Sequence, residues 1–407
     1  MRYVIVGAGV AGLSAAEAIR TRDEKGEIYM VSDDPHGFYS RPGLAYYLNG
    51  EINEKGLFPS HQRDWLKSNV HYVNGQVSML QSEFHEIEIG TSKKLSYDRL
   101  LIATGSVAAS MKIPGNNLDS VVKLDNFADA QRIRELSRKA KSAVVIGGGI
   151  TALELVEGLV AQHVKVHYFL RGDRYWSNIL DEEESIIIEK KLSEDGVLIH
   201  YQTETREILG KRGKVDAVVT NKMETINCQM VAYAVGIRPR LALAQAAGLA
   251  VDRGVLVNEF LETNLPDVFA AGDVAQVFDP LSGHSLLDSL WNPARNQGYI
   301  AGLNMAGENQ DYIKEIAFNV TRLAGITTTI IGNIGNGNSE DKDMVNIARG
   351  DSETFQQLPN GIALKSGSDV NQVRLLIGET TLVGALVMGD QTLSHPIKEL
   401  ILKQVDI

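Results

Sequence analysis

The sequence has little cysteine, and this scarcity excludes several kinds of redox and metal chemistry. Its 407 residues include one cysteine, Cys228, which lies on a predicted strand and is interpreted as a structural residue. A single cysteine cannot form an internal disulfide or a redox-active dithiol pair, and it cannot supply the thiolates of an iron–sulfur cluster or a zinc site. The nine histidines show no HxxH or HExxH spacing, so we predict no metal site.

Long basic runs and long apolar runs are also lacking. The chain carries 51 acidic and 40 basic residues, for a net charge of −11, and this acidic balance predicts no nucleic-acid partner. No stretch approaches the roughly 20 apolar residues that a membrane helix needs. The glycines within the apolar segment 3–19 favour a strand–turn–helix unit over a signal peptide. The predicted location is therefore cytoplasmic.

Hydrophobic patterning predicts two strand–helix–strand units, each with a glycine turn after its first strand. The first unit comprises strand Arg2–Val6, helix Gly12–Arg20 and strand Ile28–Val31. The second begins about 140 residues later and suggests duplication of a binding fold. It comprises strand Ala143–Ile146, helix Thr151–Ala161 and strand Lys165–Leu170. The predicted fold class is α/β with two Rossmann-like, dinucleotide-binding domains.

Further strands are predicted between and after these units. Alternating residues indicate antiparallel strands at Val70–Val77 and Phe84–Ile89. Buried strands are predicted at Arg99–Ala103, Met230–Val235 and Val268–Ala271. From about residue 311 the residue pattern changes, and this change predicts a separate α+β domain. Its predicted features are the Gly/Asn-rich stretch Gly332–Asn338, alternating segments Arg374–Ile377 and Leu382–Val387, and a helix near Pro396–Lys403.

The first glycine motif predicts a dinucleotide site. It reads Gly7-Ala8-Gly9-Val10-Ala11-Gly12 between a strand and a helix. The first glycine permits a tight turn, the second lets a pyrophosphate approach the backbone, and the third allows close packing of helix and strand. The helix N-terminus then faces the phosphates. After Ser32, at the end of the second strand, Asp33 and Asp34 are candidates to bind ribose hydroxyls.

The second motif repeats this pattern as Gly147-Gly148-Gly149-Ile150-Thr151-Ala152, with alanine at the third position. Two motifs suggest two dinucleotides, one held as a cofactor and one exchanged as a substrate. Leu170 stands where an NAD-specific strand ends in an acid, and Arg171 and Arg174 follow it. Because arginines bind a 2′-phosphate, this segment favours NADPH over NADH. The alternative is that both arginines are solvated loop residues.

Specific segments carry a family resemblance over nearly the whole chain. The chain resembles the FAD-dependent pyridine nucleotide–disulfide oxidoreductase superfamily. It is most similar to the branch without redox cysteines, which includes ferredoxin and rubredoxin reductases, apoptosis-inducing factor and the flavin part of assimilatory nitrite reductase. The matching segments are Ser32-Asp33-Asp34-Pro35 with Tyr39-Ser40-Arg41-Pro42; residues 97–106; Val235-Gly236-Ile237-Arg238-Pro239; Thr263 with residues 266–273; and Trp291 with Ala294, Gln297 and Gly298.

The resemblance implies a domain layout and a set of site residues. It implies an FAD-binding domain at 1–108 and 237–310, an NAD(P)-binding domain at 109–236 and a C-terminal interface domain at 311–407. It places Glu154 beside the nicotinamide. Besides the two glycine motifs, Asp33, Asp34 and the two arginines, the implied cofactor-binding residues are Ser32, Arg41, Pro42, Val77, Ala103, Thr104, Gly105, Val235, Gly236, Gly272, Asp273 and Trp291.

Two positions depart from patterns in that superfamily. Ferredoxin reductase-like members often carry a lysine that reaches toward flavin N5 where this chain has Tyr46. Pro42 precedes Gly43-Leu44, whereas members that reduce coenzyme A disulfide have a cysteine there. The chain also lacks the CxxxxC pair of glutathione-reductase-like members, so the dithiol mechanism is absent. Tyr46 becomes a candidate residue at the flavin.

The resemblance implies that hydride passes from nicotinamide C4 to flavin N5, so that the cofactors supply the chemistry. The expected acceptor of the electrons is a small carrier protein of the ferredoxin or rubredoxin type, because no internal cysteine pair can take them. One alternative is an oxidase or diaphorase that uses oxygen or quinone. Another is a redox-dependent signalling flavoprotein. The expected assembly is a monomer or a homodimer.

Overall fold

The protein is described here from a computed structural model, which describes residues 1–59, 69–335, 347–357 and 361–406. The fold is mixed α/β. Its described helices, in chain order, are α1 Val10–Arg22, α2 Gly43–Leu48, α3 Phe127–Ser137, α4 Ile150–Ala161, α5 Glu182–Glu194, α6 Ala242–Ala246, α7 Trp291–Met305 and α8 Ser394–Leu402.

Strands make up the rest of the regular structure. In chain order they are β1 Arg2–Val6, β2 Glu27–Ser32, β3 Val70–Asn74, β4 Val77–Gln81, β5 Glu86–Ile89, β6 Lys93–Ser96, β7 Arg99–Ile102, β8 Ser106–Ala108, β9 Val121–Lys123, β10 Ser142–Ile146, β11 Lys165–Phe169, β12 Leu198–His200, β13 Thr205–Lys211, β14 Lys214–Thr220, β15 Thr225–Asn227, β16 Met230–Tyr233, β17 Ile237–Pro239, β18 Val255–Leu256, β19 Val268–Ala270, β20 Ala275–Asp279, β21 His284–Leu286, β22 Phe318–Leu323, β23 Ile326–Gly332, β24 Ile362–Ser368, β25 Asn371–Ile377 and β26 Leu382–Met388.

The chain forms two compact units, and each is assembled from three separate stretches. The first unit contains Met1–Ser40, Lys55–Val107 and Arg238–Glu315, and the second contains Arg41–Glu54, Ala108–Ile237 and Ile316–Ile407. Each unit therefore contains one of the two glycine motifs. The functional division into FAD, NAD(P) and interface domains stays a prediction.

The first unit is built on a parallel sheet with strand order β19-β7-β1-β2-β3. Apolar side chains from both faces of this sheet join one buried cluster with α1 and α7. The prediction of one antiparallel strand over Val70–Val77 is wrong. The segment splits at Gly75: Val70–Asn74 pairs parallel with β2, and Val77–Gln81 pairs antiparallel with β5.

Helices α1 and α7 approach each other closely because glycines line the contact. A Cβ atom added to Gly298 would lie 2.1 Å from the carbonyl oxygen of Ala11, and one added to Gly302 would lie 2.4 Å from that of Ala15. Any side chain at these positions would collide with backbone. The glycines therefore bring the backbone of α7 against the first turns of α1, directly after the first glycine motif.

The second unit contains a parallel sheet with strand order β12-β11-β10-β16-β9 and an antiparallel sheet with order β22-β23-β26-β25-β24. The parallel sheet is the predicted second Rossmann-like fold. In the antiparallel sheet, Ile397 and Ile401 of α8 pack on apolar residues of β23 and β26. The predicted Gly/Asn-rich stretch at Gly332–Asn338 lies partly outside the described residues.

A buried ion pair joins the antiparallel sheet of the second unit to helix α5. The guanidinium Nε of Arg374, on β25, donates to Oε1 of Glu184 on α5 at 3.0 Å, and the two side chains are only 3% and 4% exposed. Arg374 also donates to the carbonyl oxygen of Ile179 at 2.6 Å. The same Glu184 completes a capping box with Asp181 at the start of α5. One arginine therefore connects the C-terminal sheet to the nucleotide-type fold.

Within the described ranges, no helix has both the length and the apolar character required to cross a membrane.

Candidate functional site

The first glycine turn has the shape of a phosphate-binding loop. Gly7 has a φ of +121°, and a Cβ there would lie 2.0 Å from the carbonyl oxygen of Ala103. A Cβ on Gly12 would lie 2.1 Å from the oxygen of Gly7, whereas a Cβ on Gly9 would meet no atom within 4 Å. Backbone atoms therefore block the Cβ positions of the first and third glycines, whereas that of the second faces open space that a ligand can enter.

The start of α1 is suited to an anion. Gly9 caps the helix without a side-chain hydrogen bond, and the first turn contains no acidic residue. Val10 begins the helix, Ala11 contacts α7 and Ala8 is buried in the turn. The backbone N–H groups and the positive end of the helix dipole are therefore directed at the open side of Gly9.

The two candidate ribose-binding acids differ in their surroundings. The carboxylate of Asp34 accepts hydrogen bonds from the Tyr39 hydroxyl and from the backbone N–H of His36, both at 3.0 Å. The carboxylate of Asp33 is more exposed and lies 3.6 Å from Arg240. Local bonds thus engage both oxygens of Asp34, so Asp33 is the better placed of the two to bind a ribose. Val77 begins β4, three residues after Asn74, which is in register with Ser32 of β2.

The second predicted FAD motif contains a carboxylate, that of Asp273, which accepts hydrogen bonds from two serine hydroxyls. The Oδ2 atom of Asp273 accepts from Ser106 Oγ at 2.7 Å and from Ser289 Oγ at 3.0 Å. The preceding Gly272 has a φ of +80°, and its N–H donates to the side chain of Gln297 at 2.8 Å. These bonds fix the orientation of the Asp273 carboxylate. Trp291 begins α7 from the same part of the first unit, and Ala103, Thr104 and Gly105 follow β7.

Three residues of this region were not among the predicted site residues. Ser106 and Ser289 hold Asp273, and both lie at or beside quoted motif segments, so the sequence signal was available. The third is Lys314, whose ammonium lies 3.5 Å from Asp288 in a pair that is almost fully buried. No sequence pattern links Lys314 to Asp288, because the two lie on separate irregular segments.

The second glycine turn repeats the geometry of the first. Gly147 has a φ of +139°, and a Cβ there would lie 2.2 Å from the carbonyl oxygen of Ala234. It would also lie 3.0 Å from the Cβ of Ala152, so alanine is accommodated as the third residue of the motif. Gly149 caps α4 without a side-chain hydrogen bond. Among the described residues, the buried Oγ1 of Thr151 has no hydrogen-bond partner, as expected for an atom that a ligand satisfies.

The predicted nucleotide residues of the second unit share one edge of its parallel sheet. Ile146 at the end of β10 is in register with Phe169 of β11 and with Tyr233 of β16. The residues that follow these three strands therefore lie at the carboxyl edge, where open α/β sheets bind ligands. They are Gly147, Gly149, Ile150 and Thr151 after β10; Arg171 and Arg174 after β11; and Val235 and Gly236 after β16.

The two arginines that are predicted to bind a 2′-phosphate differ in their contacts and exposure. Arg174 donates to the Asp173 carboxylate at 3.1 Å and to the carbonyl oxygen of Ser177 at 3.4 Å. Arg171 is exposed directly after the strand, and Leu170 before it is buried. Arg174 therefore bonds to its own loop, and Arg171 is the more exposed of the two predicted phosphate-binding arginines.

The second unit also contains Glu154 and Tyr46. Burial raises the pKa of Glu154 on α4 to about 7, with Arg349 opposing and Glu157 adding to the shift. The Tyr46 ring is partly exposed, and the guanidinium of Arg322 lies 5.2 Å from its centroid. Arg322 is in turn held by Glu51. A cation from β22 therefore accompanies the tyrosine that replaces the expected lysine.

The segment before Tyr46 is also anchored in the second unit. Arg41 donates from Nη1 to the backbone carbonyl of Asp125 at 2.8 Å. Pro42 follows and caps α2 with a φ of −59°. The anchored segment thus enters helix α2, on which Tyr46 lies.

Cys228 is fully buried between β15 and β16, and burial raises its thiol pKa to about 12. The thiolate is therefore not populated near neutral pH, and the sulfur is unsuited to redox work. We expect Cys228→Ser to leave turnover per folded enzyme unchanged while lowering stability by about 1–2 kcal/mol. Steady-state rates normalised to bound flavin would measure this. A lost rate with flavin and melting behaviour intact would contradict direct transfer from flavin to acceptor.

The two sites fit two dinucleotides rather than a metal. Each glycine turn has a tightly closed first glycine and an uncapped helix N-terminus, and Asp273 in the first unit and Thr151 in the second present polar atoms beside the turns. Across the part of the chain that the structure describes, no three His, Cys, Asp or Glu residues cluster as metal ligands.

Comparison with known proteins agrees with this geometry. Residues 1–298 match the family described as pyridine nucleotide-disulphide oxidoreductase. The NADH-rubredoxin oxidoreductase of Clostridium acetobutylicum is 27% identical, over 98% of this chain and 94% of its own length. The NAD(P)H nitrite reductase of Bacillus subtilis is 26% identical over 100% of this chain, which spans about half, 48%, of that relative.

A solved structure of similar fold is the ferredoxin reductase from Rhodopseudomonas palustris. It superposes with a TM-score of 0.88 at 20% identity, over 100% of this chain and 95% of its own. These matches confirm the predicted superfamily, the α/β fold with two Rossmann-like sheets, and the cofactors, FAD with NADH or NADPH. The chain belongs to the pyridine nucleotide-disulphide oxidoreductase family.

Proposed function

We propose that the chain is an FAD-dependent NAD(P)H oxidoreductase that passes electrons to a small carrier protein of the rubredoxin or ferredoxin type. The observation that carries the proposal is the pair of glycine turns before uncapped helices, one in each unit, in a chain whose single cysteine is buried. Two dinucleotides can bind, but no dithiol can receive the electrons. The rubredoxin-reducing relative, which this chain matches over nearly its full length, supports the choice of carrier.

FAD, when bound, would supply the redox chemistry between hydride donor and one-electron acceptor, and the residues of the chain would hold and orient it. In the first unit, the N–H groups beside Gly9 would hold the FAD pyrophosphate, Asp33 would hold a ribose and Asp273 the ribityl chain. Ser106 and Ser289 would keep the Asp273 carboxylate oriented for that contact. The turn at Gly149 and Thr151 would hold the nicotinamide nucleotide.

Glu154 and Tyr46 are proposed as the residues that tune the reaction. A carboxyl with a pKa near 7 can be neutral or charged at working pH, and this allows it to hydrogen-bond a carboxamide as donor or acceptor. Tyr46, whose ring lies beside the Arg322–Glu51 ion pair, would place a phenol hydroxyl where related chains place a lysine. We also propose a cytoplasmic location, where NAD(P)H is available, to be checked by cell fractionation.

The decisive experiment is steady-state turnover of the flavin-loaded protein with NADH or NADPH against a panel of acceptors. Rubredoxin, ferredoxin, oxygen and a soluble quinone would be supplied at matched concentrations. We expect a carrier protein to support the highest rate. Faster turnover with oxygen or quinone would replace the proposal by an oxidase or diaphorase. Slow flavin reduction with a long-lived charge-transfer complex would point to a signalling flavoprotein.

Nucleotide preference follows from the arginine after β11. Leu170 removes both the ribose contact and the charge repulsion that an acid would give, and Arg171 offers a charge-assisted hydrogen bond to a 2′-phosphate. We expect kcat/KM to favour NADPH over NADH by about tenfold at low salt, and the preference to shrink as salt rises. Arg171→Ala should remove most of it with little effect on NADH.

Arg174→Ala is the matched control for that variant, because the side chain of Arg174 is engaged by its own loop. It should leave the ratio near that of the wild type. A wild type that uses NADH better at low salt would show that Arg171 is a solvated loop residue.

A further inference from the structure

A segment of the C-terminal part of the second unit, Ile347–Asp351, lies against the second glycine turn. A Cβ on Gly149 would be 3.6 Å from the Cβ of Ala348, and a Cβ on Gly350 would be 3.4 Å from Cδ1 of Ile150. The corresponding glycine of the first motif, Gly9, has nothing within 4 Å. The two turns therefore differ, because the second has a protein segment along one side.

Hydrogen bonds hold this segment in place at both ends. The backbone N–H of Ile237 donates to the carbonyl oxygen of Ile347 at 3.1 Å. The side-chain amide of Asn319, on β22, donates to the carbonyl oxygen of Gly350 at 2.7 Å. The segment is thus tied to the residue that follows Val235-Gly236 and to the C-terminal sheet. It is a fixed wall of the turn.

The positively charged residue of this wall is Arg349. Its Nη2 lies 2.7 Å from Oδ1 of Asp125, and its Nη1 donates to the backbone carbonyls of Leu124 and Asp125, both at 3.3 Å. The Asp125 side chain is 3% exposed. Burial alone would raise the pKa of Asp125, but the Arg349 guanidinium, together with the charges of Arg41 and Lys123, lowers that pKa below its ordinary value. The pair is therefore ionised and rigidly oriented.

The sheet topology places this pair at one end of the nucleotide site. Asp125 follows β9, whose Lys123 is in register with Tyr233 of β16. Both strands lie on one side of β10, whereas β11, which precedes Arg171, lies on the other. A dinucleotide binds across the point where the strand order reverses, with one nucleotide on each side. Because the β11 side takes the adenine ribose, the β16–β9 side takes the nicotinamide half.

We propose that Arg349, oriented by Asp125, binds the phosphate of the nicotinamide nucleotide half of NAD(P)H and does not distinguish NADPH from NADH. The inference rests on the proposed function and adds a binding residue from outside the Rossmann-like sheet. It gives a specific role to a C-terminal segment that no glycine motif includes. It also gives the two arginines different roles. Arg349 binds the half that NADH and NADPH share, and Arg171 binds the 2′-phosphate that only NADPH carries.

Half-ligands test this division on the flavin-loaded protein. Equilibrium dissociation constants would be measured by calorimetry for reduced nicotinamide mononucleotide, AMP, NADH and NADPH. We expect Arg349→Gln to weaken binding of the mononucleotide, NADH and NADPH by about tenfold each and to leave AMP unchanged. Arg171→Ala, the matched variant at the other end, should weaken NADPH alone. Arg349→Lys should give an intermediate loss, because it keeps the charge but not the planar fork.

Other results would overturn the inference. Unchanged mononucleotide binding in Arg349→Gln would show that Arg349 only braces Asp125, and so would an equal loss of AMP and mononucleotide. If Arg349→Gln fails to fold, the lysine variant decides: mononucleotide affinity equal to wild type contradicts the proposal. If the wild type binds AMP and NADH normally, a negative result with the Arg349 variants contradicts only the role of Arg349 and leaves the proposed function intact. A wild type that binds neither NADH nor NADPH overturns the proposed function as well.

Discussion

Gly7→Ala is expected to abolish FAD binding and to destabilise the first unit by about 3 kcal/mol or more. The new Cβ would lie 2.0 Å from the carbonyl oxygen of Ala103, a backbone atom that cannot rotate away. The φ of +121° is in addition strained for any residue with a side chain. Both effects act on the protein without its cofactor. Chemical unfolding of the apo-protein and flavin content after purification would measure them.

Gly9→Ala is the matched control, since its Cβ would meet no protein atom within 4 Å and its φ is −81°. The apo-protein should unfold like the wild type, but FAD affinity should fall because the methyl group occupies ligand space. The two variants thus separate fold from binding. Equal flavin content in Gly9→Ala and wild type would mean that the open side of this turn does not face the pyrophosphate.

Arg374→Met is expected to cost about 3–5 kcal/mol of stability at neutral pH, because it leaves the Glu184 carboxylate buried without its cation. Burial already raises the pKa of Glu184, and Arg374 lowers it, so removing Arg374 should raise it further. A raised carboxyl pKa in the folded state gives stability that is present at low pH and lost as pH rises. The deficit of the variant should therefore grow between pH 5 and pH 8.

Denaturant unfolding at both pH values would measure this. The double variant Arg374→Met/Glu184→Leu should recover a substantial part of the loss and its pH dependence, since it removes the uncompensated charge. A deficit that is the same at pH 5 and pH 8 would show that the lost bond to the Ile179 carbonyl, rather than the charge of Glu184, dominates.

The elements that sequence patterns predicted well are those whose function dictates their local residues. Both glycine turns and the helices after them were placed within two or three residues, because close backbone approach permits only glycine or alanine there. The segment Val70–Val77 was misassigned for a physical reason. Val70–Asn74 is an edge strand of a parallel sheet, so it is partly exposed and has the mixed polar and apolar residues that are typical of a half-buried antiparallel strand.

The parts of the site that could not be predicted depend on contacts between distant segments. Nothing in the spacing of Asp33 and Asp34 shows that the Tyr39 hydroxyl and a backbone N–H donate hydrogen bonds to the Asp34 carboxylate. In the same way, the cation beside Tyr46 comes from Arg322, 276 positions later in the chain, and the wall of the second turn comes from Arg349 and its neighbours. Such pairings follow from tertiary packing, which a single sequence does not display.

The interleaving of the two units has a consequence for the order of events during synthesis. The first unit needs residues up to Glu315, so the turn at Gly7 emerges long before the helix that packs on it, which contains Gly298. At about 5–20 residues per second, roughly 15–60 s separate the two. During that interval the apolar face of α1 has no partner from α7, and a nascent chain is exposed to chaperones and proteases. Stable flavin capture is therefore expected only late in synthesis, after α7 has emerged and packed on α1.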